Sequence, residues 1–320
     1  MRIRLLTGED LEKVLPMDLA VRAMAEAFSQ FSAGEADVPL RTRLETPKGE
    51  TLFMPAYLRR TGDLAAKIVS VFPGNMALGL PTVPGMVISL DAHTGLPLAI
   101  MDGHALTALR TGAAGGLAAQ LLSREEAAHA VVFGAGTQGW AQIRGVLAVR
   151  KIRRVWIVDP AEENRKRLAD RLRCLGKGLE VLETDRGDDA VERADIIITA
   201  TPSPTPVFDG TRVRPGTHIN AIGSYRPDMC ELDAHIVRKA KVFVDSRRAC
   251  MAEAGDIIQS GAKILAEIGE VINGAKPGRT SPDEITVFKT VGIAAQDAAA
   301  ASAALKRAEE KNLGTLISLG

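Results

Sequence analysis

A short apolar run that ends in Gly134-Ala135-Gly136-Thr137-Gln138-Gly139 and passes directly into a helix-like segment constrains this chain more than any other feature. Ala130 to Phe133 reads as a buried strand and Trp140 to Val149 as a helix, so the glycines occupy a strand-to-helix turn. A second strand, Arg154 to Asp159, ends in a carboxylate about 20 residues past the last glycine. In such a unit Gly134 makes the tight turn, Gly136 lets backbone approach a pyrophosphate, and Gly139 lets helix pack on strand. The N–H groups of the first helical turn then face the anion, and Asp159 is placed to accept ribose hydroxyls. The pattern predicts a dinucleotide site rather than an ordinary glycine turn.

Beyond the glycine loop, strand-like and helix-like segments alternate, the rhythm of a doubly wound parallel sheet. The apolar runs Leu179 to Leu182, Ile196 to Thr199, His218 to Ile222 and Val242 to Val244 join the first two strands to make six, the complement of one Rossmann unit. Between them lie the helical candidates Glu162 to Leu175, Asp188 to Ala194 and Glu231 to Ala240. The N-terminal part has a different grammar. Val21, Met24, Phe28 and Phe31 recur at helical spacing before Gly34, and β-like segments follow at Thr51 to Met54, Ala65 to Phe72, Met86 to Leu90 and Leu98 to Met101. Asp91 to Gly95 reads as a hairpin turn. Strands joined by turns imply a mostly antiparallel sheet. From Ile293 onward the chain is alanine-rich and helical, and is expected to return to the N-terminal part. The resulting plan is α/β: a Rossmann doubly wound parallel sheet, 120–292, inserted into a smaller α+β substrate and dimerisation domain, 1–119 with 293–320.

Composition excludes several classes. A net charge of +1, with basic residues scattered among acids, provides no field for nucleic acid or an anionic membrane. The three cysteines, Cys174, Cys230 and Cys250, are widely spaced and suggest neither a disulfide framework nor a zinc site; no metal is expected. The N-terminal segment from Met1 to Leu6 has too short an apolar run for a signal peptide, and no 18-residue apolar stretch occurs elsewhere, so a cytoplasmic protein is expected.

Three cationic positions carry the chemistry. Lys67 stands in a strand whose two sides are both mainly apolar, which predicts burial; a desolvated lysine near other cations loses its proton more easily and can exchange it near neutrality. That suits a carbonyl or imine substrate. Arg110 shares a helix face with Leu106, Ala113, Ala114 and Leu117 and therefore needs an anion: a protein carboxylate, a substrate carboxylate or a cofactor phosphate. Arg41 and Arg43, two apart in an extended segment, are expected to share a face, either being a second carboxylate ligand. His104 and His218 lack triad partners and read as structural. Asp297 reads as lying on the polar side of its helix, Glu309 and Glu310 as a solvated helix end, and the methionines as core.

These residues, with Met54-Pro55-Ala56-Tyr57, Gly79-Leu80-Pro81-Thr82, Met101-Asp102-Gly103, Thr107-Ala108-Leu109-Arg110-Thr111-Gly112, Thr199-Ala200-Thr201-Pro202, Asn220-Ala221-Ile222-Gly223-Ser224 and Thr286-Val287-Phe288-Lys289, resemble the ornithine cyclodeaminase and mu-crystallin family over nearly the whole chain. That family also includes an archaeal type of alanine dehydrogenase and several cyclic imine reductases. The resemblance implies that Arg41, Lys67 and Arg110 match substrate-site positions. It also implies that Thr82, Thr111, Thr137, Gln138, Asp159, Thr201, Ile222, Ser224 and Val291 line the cofactor, and that the protein is a homodimer.

The cyclodeaminases carry an aspartate and, four residues on, a lysine where this chain has Tyr225 and Met229. The amine-handling acid is missing there. Reduction of a preformed cyclic imine needs only a carboxylate clamp, a proton source and a hydride. The expected function is therefore an NAD(P)H-dependent reductase of a cyclic imine acid, 1-pyrroline-2-carboxylate to L-proline, with the piperideine homologue as a further substrate. Alanine dehydrogenase comes next, then ornithine cyclodeaminase or a non-catalytic ligand-binding protein of the mu-crystallin kind. Asp159 favours NAD(H), while Arg165 nearby leaves NADP(H) open.

Overall fold

The computed structural model describes residues 2–176 and 178–319. The chain forms two compact units, one made of Met1–Arg110 with Ile293–Gly320, the other of Thr111–Gly292. They divide between Arg110 and Thr111, before the expected 119/120 boundary and inside a continuous helix, Gly103–Leu122.

In the first unit, β1 (Arg2–Leu6) leads into α1 (Gly8–Val14). The Thr7 hydroxyl accepts the Asp10 N–H, and the Asp10 carboxylate accepts the Thr7 N–H in return. A cap of this kind stabilises a helix by about 1 kcal/mol. The amphipathic α2 (Met17–Ser32) buries Ala20, Val21, Met24, Ala27 and Phe28, and Gly34, with φ of 74°, turns the chain out of it. The strands β2 (Ala36–Asp37), β3 (Thr42–Thr46), β4 (Gly49–Leu58), β5 (Asp63–Val71), β6 (Gly85–Leu90) and β7 (Pro97–Asp102) follow. The β6–β7 turn is closed by Asp91, whose side chain accepts the His93 and Thr94 N–H groups. The meander is antiparallel as expected, but β1 joins β7 in parallel, and a C-terminal strand, Thr315–Ser318, pairs with β1. The sequence reading had neither of these two strands. Behind the sheet, the alanine-rich terminal helix, Ala294–Glu310, packs on α2, β4 and β5.

The second unit is a parallel sheet: β8 (His129–Phe133), β9 (Arg154–Val158), β10 (Glu180–Thr184), β11 (Ile196–Thr199), β12 (His218–Ala221), β13 (Lys241–Val244), β14 (Ile264–Glu267) and β15 (Thr286–Lys289). The spatial order is β10-β9-β8-β11-β12-β15-β13-β14. All six expected strands form, and two more join them. The place beside β12 belongs to β15, not to β13. These extra strands are four residues long, and β15 carries Thr286 and Lys289 where a plain core strand would be apolar. Along β8, Val131 and Phe133 enter one core while Ala130 and Val132 enter the other. Both faces are therefore covered, which explains why these strands read as continuous apolar runs. No helix among the described residues is long and apolar enough to cross a membrane.

Candidate active site

In the second unit, strand order reverses between β8 and β11, the switch point at which open α/β sheets bind ligands beyond their carboxyl ends. Gly134 follows β8 with φ of 94°, and a Cβ there would lie 2.5 Å from the Ala200 carbonyl that follows β11. A Cβ on Gly139 would approach the Gly134 carbonyl even more closely, so only glycine fits either position. Gly136 is the N-cap of the helix Thr137–Val149 and offers no side-chain cap, and a Cβ there would meet nothing within 4 Å. Uncapped N–H groups facing open space are what a pyrophosphate requires. Thr137 is exposed, and the buried Oε1 of Gln138 has no hydrogen-bond partner among the described residues. Asp159 stands just past β9, its carboxylate accepting the Ala135 and Ala161 N–H groups at 2.9 Å each. Arg165 folds back onto the carbonyls of Asp159 and Pro160.

The loops after the next strands rest on a buried ionic network that sequence reading missed. Glu231, fully buried, accepts five hydrogen bonds, from the hydroxyls of Thr199 and Thr201 and the N–H groups of Thr201, Gly223 and Ser224. Burial pushes its carboxyl above the ordinary range, against the pull of Lys289 and these donors. Asp256 accepts the N–H groups of Glu231 and Leu232 and lies 3.0 Å from the Lys289 ammonium. Asp245 takes the Thr290 hydroxyl and the Val291 and Gly292 N–H groups.

This network holds Thr201 and Val291 just beyond their strands, the Ile222 N–H donates to the Thr199 carbonyl, and Ser224, expected along the cofactor, takes part with its own hydroxyl. Its hydroxyl is turned inward, donating to the Met229 carbonyl and accepting from the Asp256 N–H, so it shapes the loop instead of presenting a side chain. Thr111 is buried, its carbonyl accepting from the Gln142 amide. His218, hydrogen-bonded to Thr286 and Asn220, is pushed down to about 3 by burial and stays neutral, a structural residue. His104 is exposed.

The first unit holds the cations. Lys67 is 2% exposed, flanked across β4 and β6 by the buried Met54 and Val87. Its Nζ lies 2.8 Å from Oδ2 of Asp297, and Oδ1 of the same carboxylate lies 3.0 Å from Nε of Arg110. The Nη1 atom of Arg110 donates to Oε1 of Gln296 at 2.5 Å. Asp297 is 1% exposed, a correction to the reading that put it on a polar helix face. Every residue from Ala294 to Ala301 is buried, so the start of this helix has no solvated face to offer; its exposed charges begin only at Lys306.

Burial lowers Lys67 to about 8; Asp297 opposes the shift, whereas Arg110 and Arg41 add to it. Burial alone would raise Asp297, but the Lys67 and Arg110 charges outweigh it and hold the carboxyl below its ordinary range. Of the two expected strand arginines, Arg41 is half-buried and its charge bears on Lys67. Arg43 is paired with Glu50 at 2.5 Å across β3 and β4, a contact in which the glutamate is largely buried and the arginine about one-third exposed. Thr82 is half-buried, its carbonyl accepting the Phe72 N–H. Two buried cations, with Arg41 beside them, thus share one carboxylate, and the surplus positive charge suits a small anionic ligand.

Residues 2–312 match the family model described as ornithine cyclodeaminase/mu-crystallin family. The alanine dehydrogenase of Archaeoglobus fulgidus is 38% identical over 99% of this chain and 98% of its own length. The Delta(1)-pyrroline-2-carboxylate reductase of Bacillus cereus is 36% identical over 98% of each. Among solved structures, the Thermococcus litoralis Delta(1)-pyrroline-2-carboxylate reductase in complex with NADH and L-proline superposes with a TM-score of 0.93 at 39% identity, covering 98% of this chain and 99% of that one. With this match along its length, the chain belongs to the ornithine cyclodeaminase/mu-crystallin family.

Proposed function

We propose that this protein is an NADH-dependent reductase of a small cyclic imine acid, converting 1-pyrroline-2-carboxylate to L-proline. The observation that carries the reading is the cation excess around Asp297: a buried site with two positive side chains for one negative one binds a carboxylate and tolerates a neutral imine. Arg110 has Nε and one Nη1 hydrogen engaged, so Nη2 and the remaining Nη1 hydrogen serve as the fork for the substrate carboxylate, with Arg41 as the second cation. Lys67 Nζ gives its proton to the imine nitrogen as hydride reaches the former C=N carbon, leaving a secondary amine. NADH, when bound, supplies that hydride. Gly134, Gly136, Thr137, Gln138 and Gly139 would hold its pyrophosphate, Asp159 its ribose, and the loops bearing Thr201, Ile222 and Val291, together with Thr82 and Thr111, its remainder. The Asp159 carboxylate repels a 2′-phosphate and Arg165 is occupied with main-chain carbonyls, which supports NADH over NADPH.

Alanine dehydrogenase is the second reading, supported by the 38% identity to the Archaeoglobus enzyme. The same clamp suits pyruvate, but ammonium would have to enter a site already rich in cations. Ornithine cyclodeamination ranks below both. Tyr225 and the buried Met229 provide no carboxylate, and Asp297 is committed to two cations. Parallel assays of NADH oxidation with 1-pyrroline-2-carboxylate and with pyruvate plus ammonium, and of ammonia release from ornithine, separate the three. Absence of NADH oxidation with the cyclic imine would sink the leading reading. The protein is further proposed to pair with a second copy through its first unit, where Leu44, Met76, Leu78 and Leu80 are exposed; sedimentation velocity tests this.

A further inference from the structure

We propose that Asp297 is the positioning residue of this site: one buried carboxylate that holds the Lys67 ammonium with one oxygen and the Arg110 guanidinium with the other, keeping the lysine a proton donor while fixing which edge of the arginine meets the substrate. The inference rests on the reductase reading for its kinetic arm only. Asp297 and Gln296 occupy the first turn of the terminal helix, and no other polar side chain follows until Ser302. Gln296 takes Nη1 of Arg110, and its Oε1 also accepts the Ile293 N–H at 3.3 Å, so the helix start and the arginine are tied together. The charged groups bearing on Lys67 are Asp297 of the terminal helix, Arg110 of the Gly103–Leu122 helix, and Arg41 just before β3; across the sheet it meets the apolar Met54 and Val87. Only one of these charges favours the ammonium. Without the carboxylate, burial and two like charges would all drive the proton off, and the site would lose its acid over the pH range in which it works.

The test compares wild type with Asp297→Asn. In wild type, kcat/KM should fall above about pH 8, as Lys67 loses its proton. In Asp297→Asn that limb should move to lower pH by about one unit or more, so that activity lost at pH 8 is several times the loss at pH 6. The imine's own titration is identical for both enzymes and cannot produce the difference. Asp297→Glu should restore part of the shift.

A second readout uses the apo protein. Urea unfolding should show a stability deficit of Asp297→Asn that is largest near pH 6, where Lys67 is charged in both folded proteins, and that shrinks as pH rises through 8, where it becomes neutral in both. Should Asp297→Asn not fold, the double variant Lys67→Met/Asp297→Asn should fold, because the repulsion has lost one member. A limb that stays in place, a deficit independent of pH, or a double variant no more stable than the single would each overturn the proposal and leave Asp297 a plain structural acid. If wild type reduces no imine, the apo readout still decides the role of Asp297, so the two readings fail separately.

Discussion

The two units each bury an ionic cluster, and the clusters are opposite in sign. In the first, Lys67 and Arg110 share Asp297, two cations to one carboxylate. In the second, Glu231 and Asp256 share Lys289, two carboxylates to one cation. The difference lies in how the surplus charge is met. The surplus anion of the second cluster is saturated by the chain itself, since Glu231 alone accepts five N–H or O–H groups. The surplus cation of the first is met only in part: beyond Asp297, Arg110 is given the Gln296 amide oxygen, one neutral acceptor for a guanidinium with five N–H groups. A saturated cluster is architecture; an unsaturated one invites a ligand.

Replacing Lys67 with Met should break this contrast most sharply. Turnover is expected to drop by about 10²- to 10⁴-fold, the usual worth of a positioned proton donor, while the fold persists. Near-normal turnover by stopped-flow would take the lysine out of the mechanism. Glu231→Gln attacks the closed cluster and should act on stability first. An amide nitrogen placed among N–H donors should cost on the order of 3 kcal/mol in urea unfolding, and nucleotide affinity should weaken as the Thr201 and Gly223 loops loosen. An unchanged midpoint would mean that the acid is not the keystone of these loops. A smaller effect is expected from Arg110→Lys, which keeps the charge but loses the fork: KM for the imine should rise by about tenfold, roughly 1.4 kcal/mol, with kcat less affected. Equal losses in both parameters would contradict a ground-state carboxylate grip. Smallest of all, Arg43→Ala removes a partly exposed pair with Glu50, and should change stability by about 1 kcal/mol and leave KM alone. A large KM effect would return Arg43 to the substrate site.

The legible parts of the molecule were those in which signal and contact are close in the chain. The strand–glycine–helix unit, the Asp91 turn and the α2 stripe each declare themselves within one turn or one hairpin. The lysine was also legible, because a charge with apolar neighbours on both sides of a strand has no solvated face. Asp297 carried a comparable signal, the single acid in the alanine-rich run from Ala294 to Ala301, yet small residues resemble a permissive surface as readily as a buried interior. β15 was hidden because its ends are Thr286 and Lys289, polar residues that suit the strand only once Leu122 O, His218 and Asp256 are in place around them.

Sequence alone determined the alternation of elements, the glycine turn between strand and helix and the presence of buried charge, since these follow from local sterics and from the period of apolar residues. Tertiary structure decided the pairings. Arg110 and Asp297 stand 187 residues apart, and nothing in either neighbourhood names the other. Their meeting depends on strand register and helix packing, and burial makes it obligatory: in a low-dielectric interior a charge must find its counter-charge wherever the fold brings one.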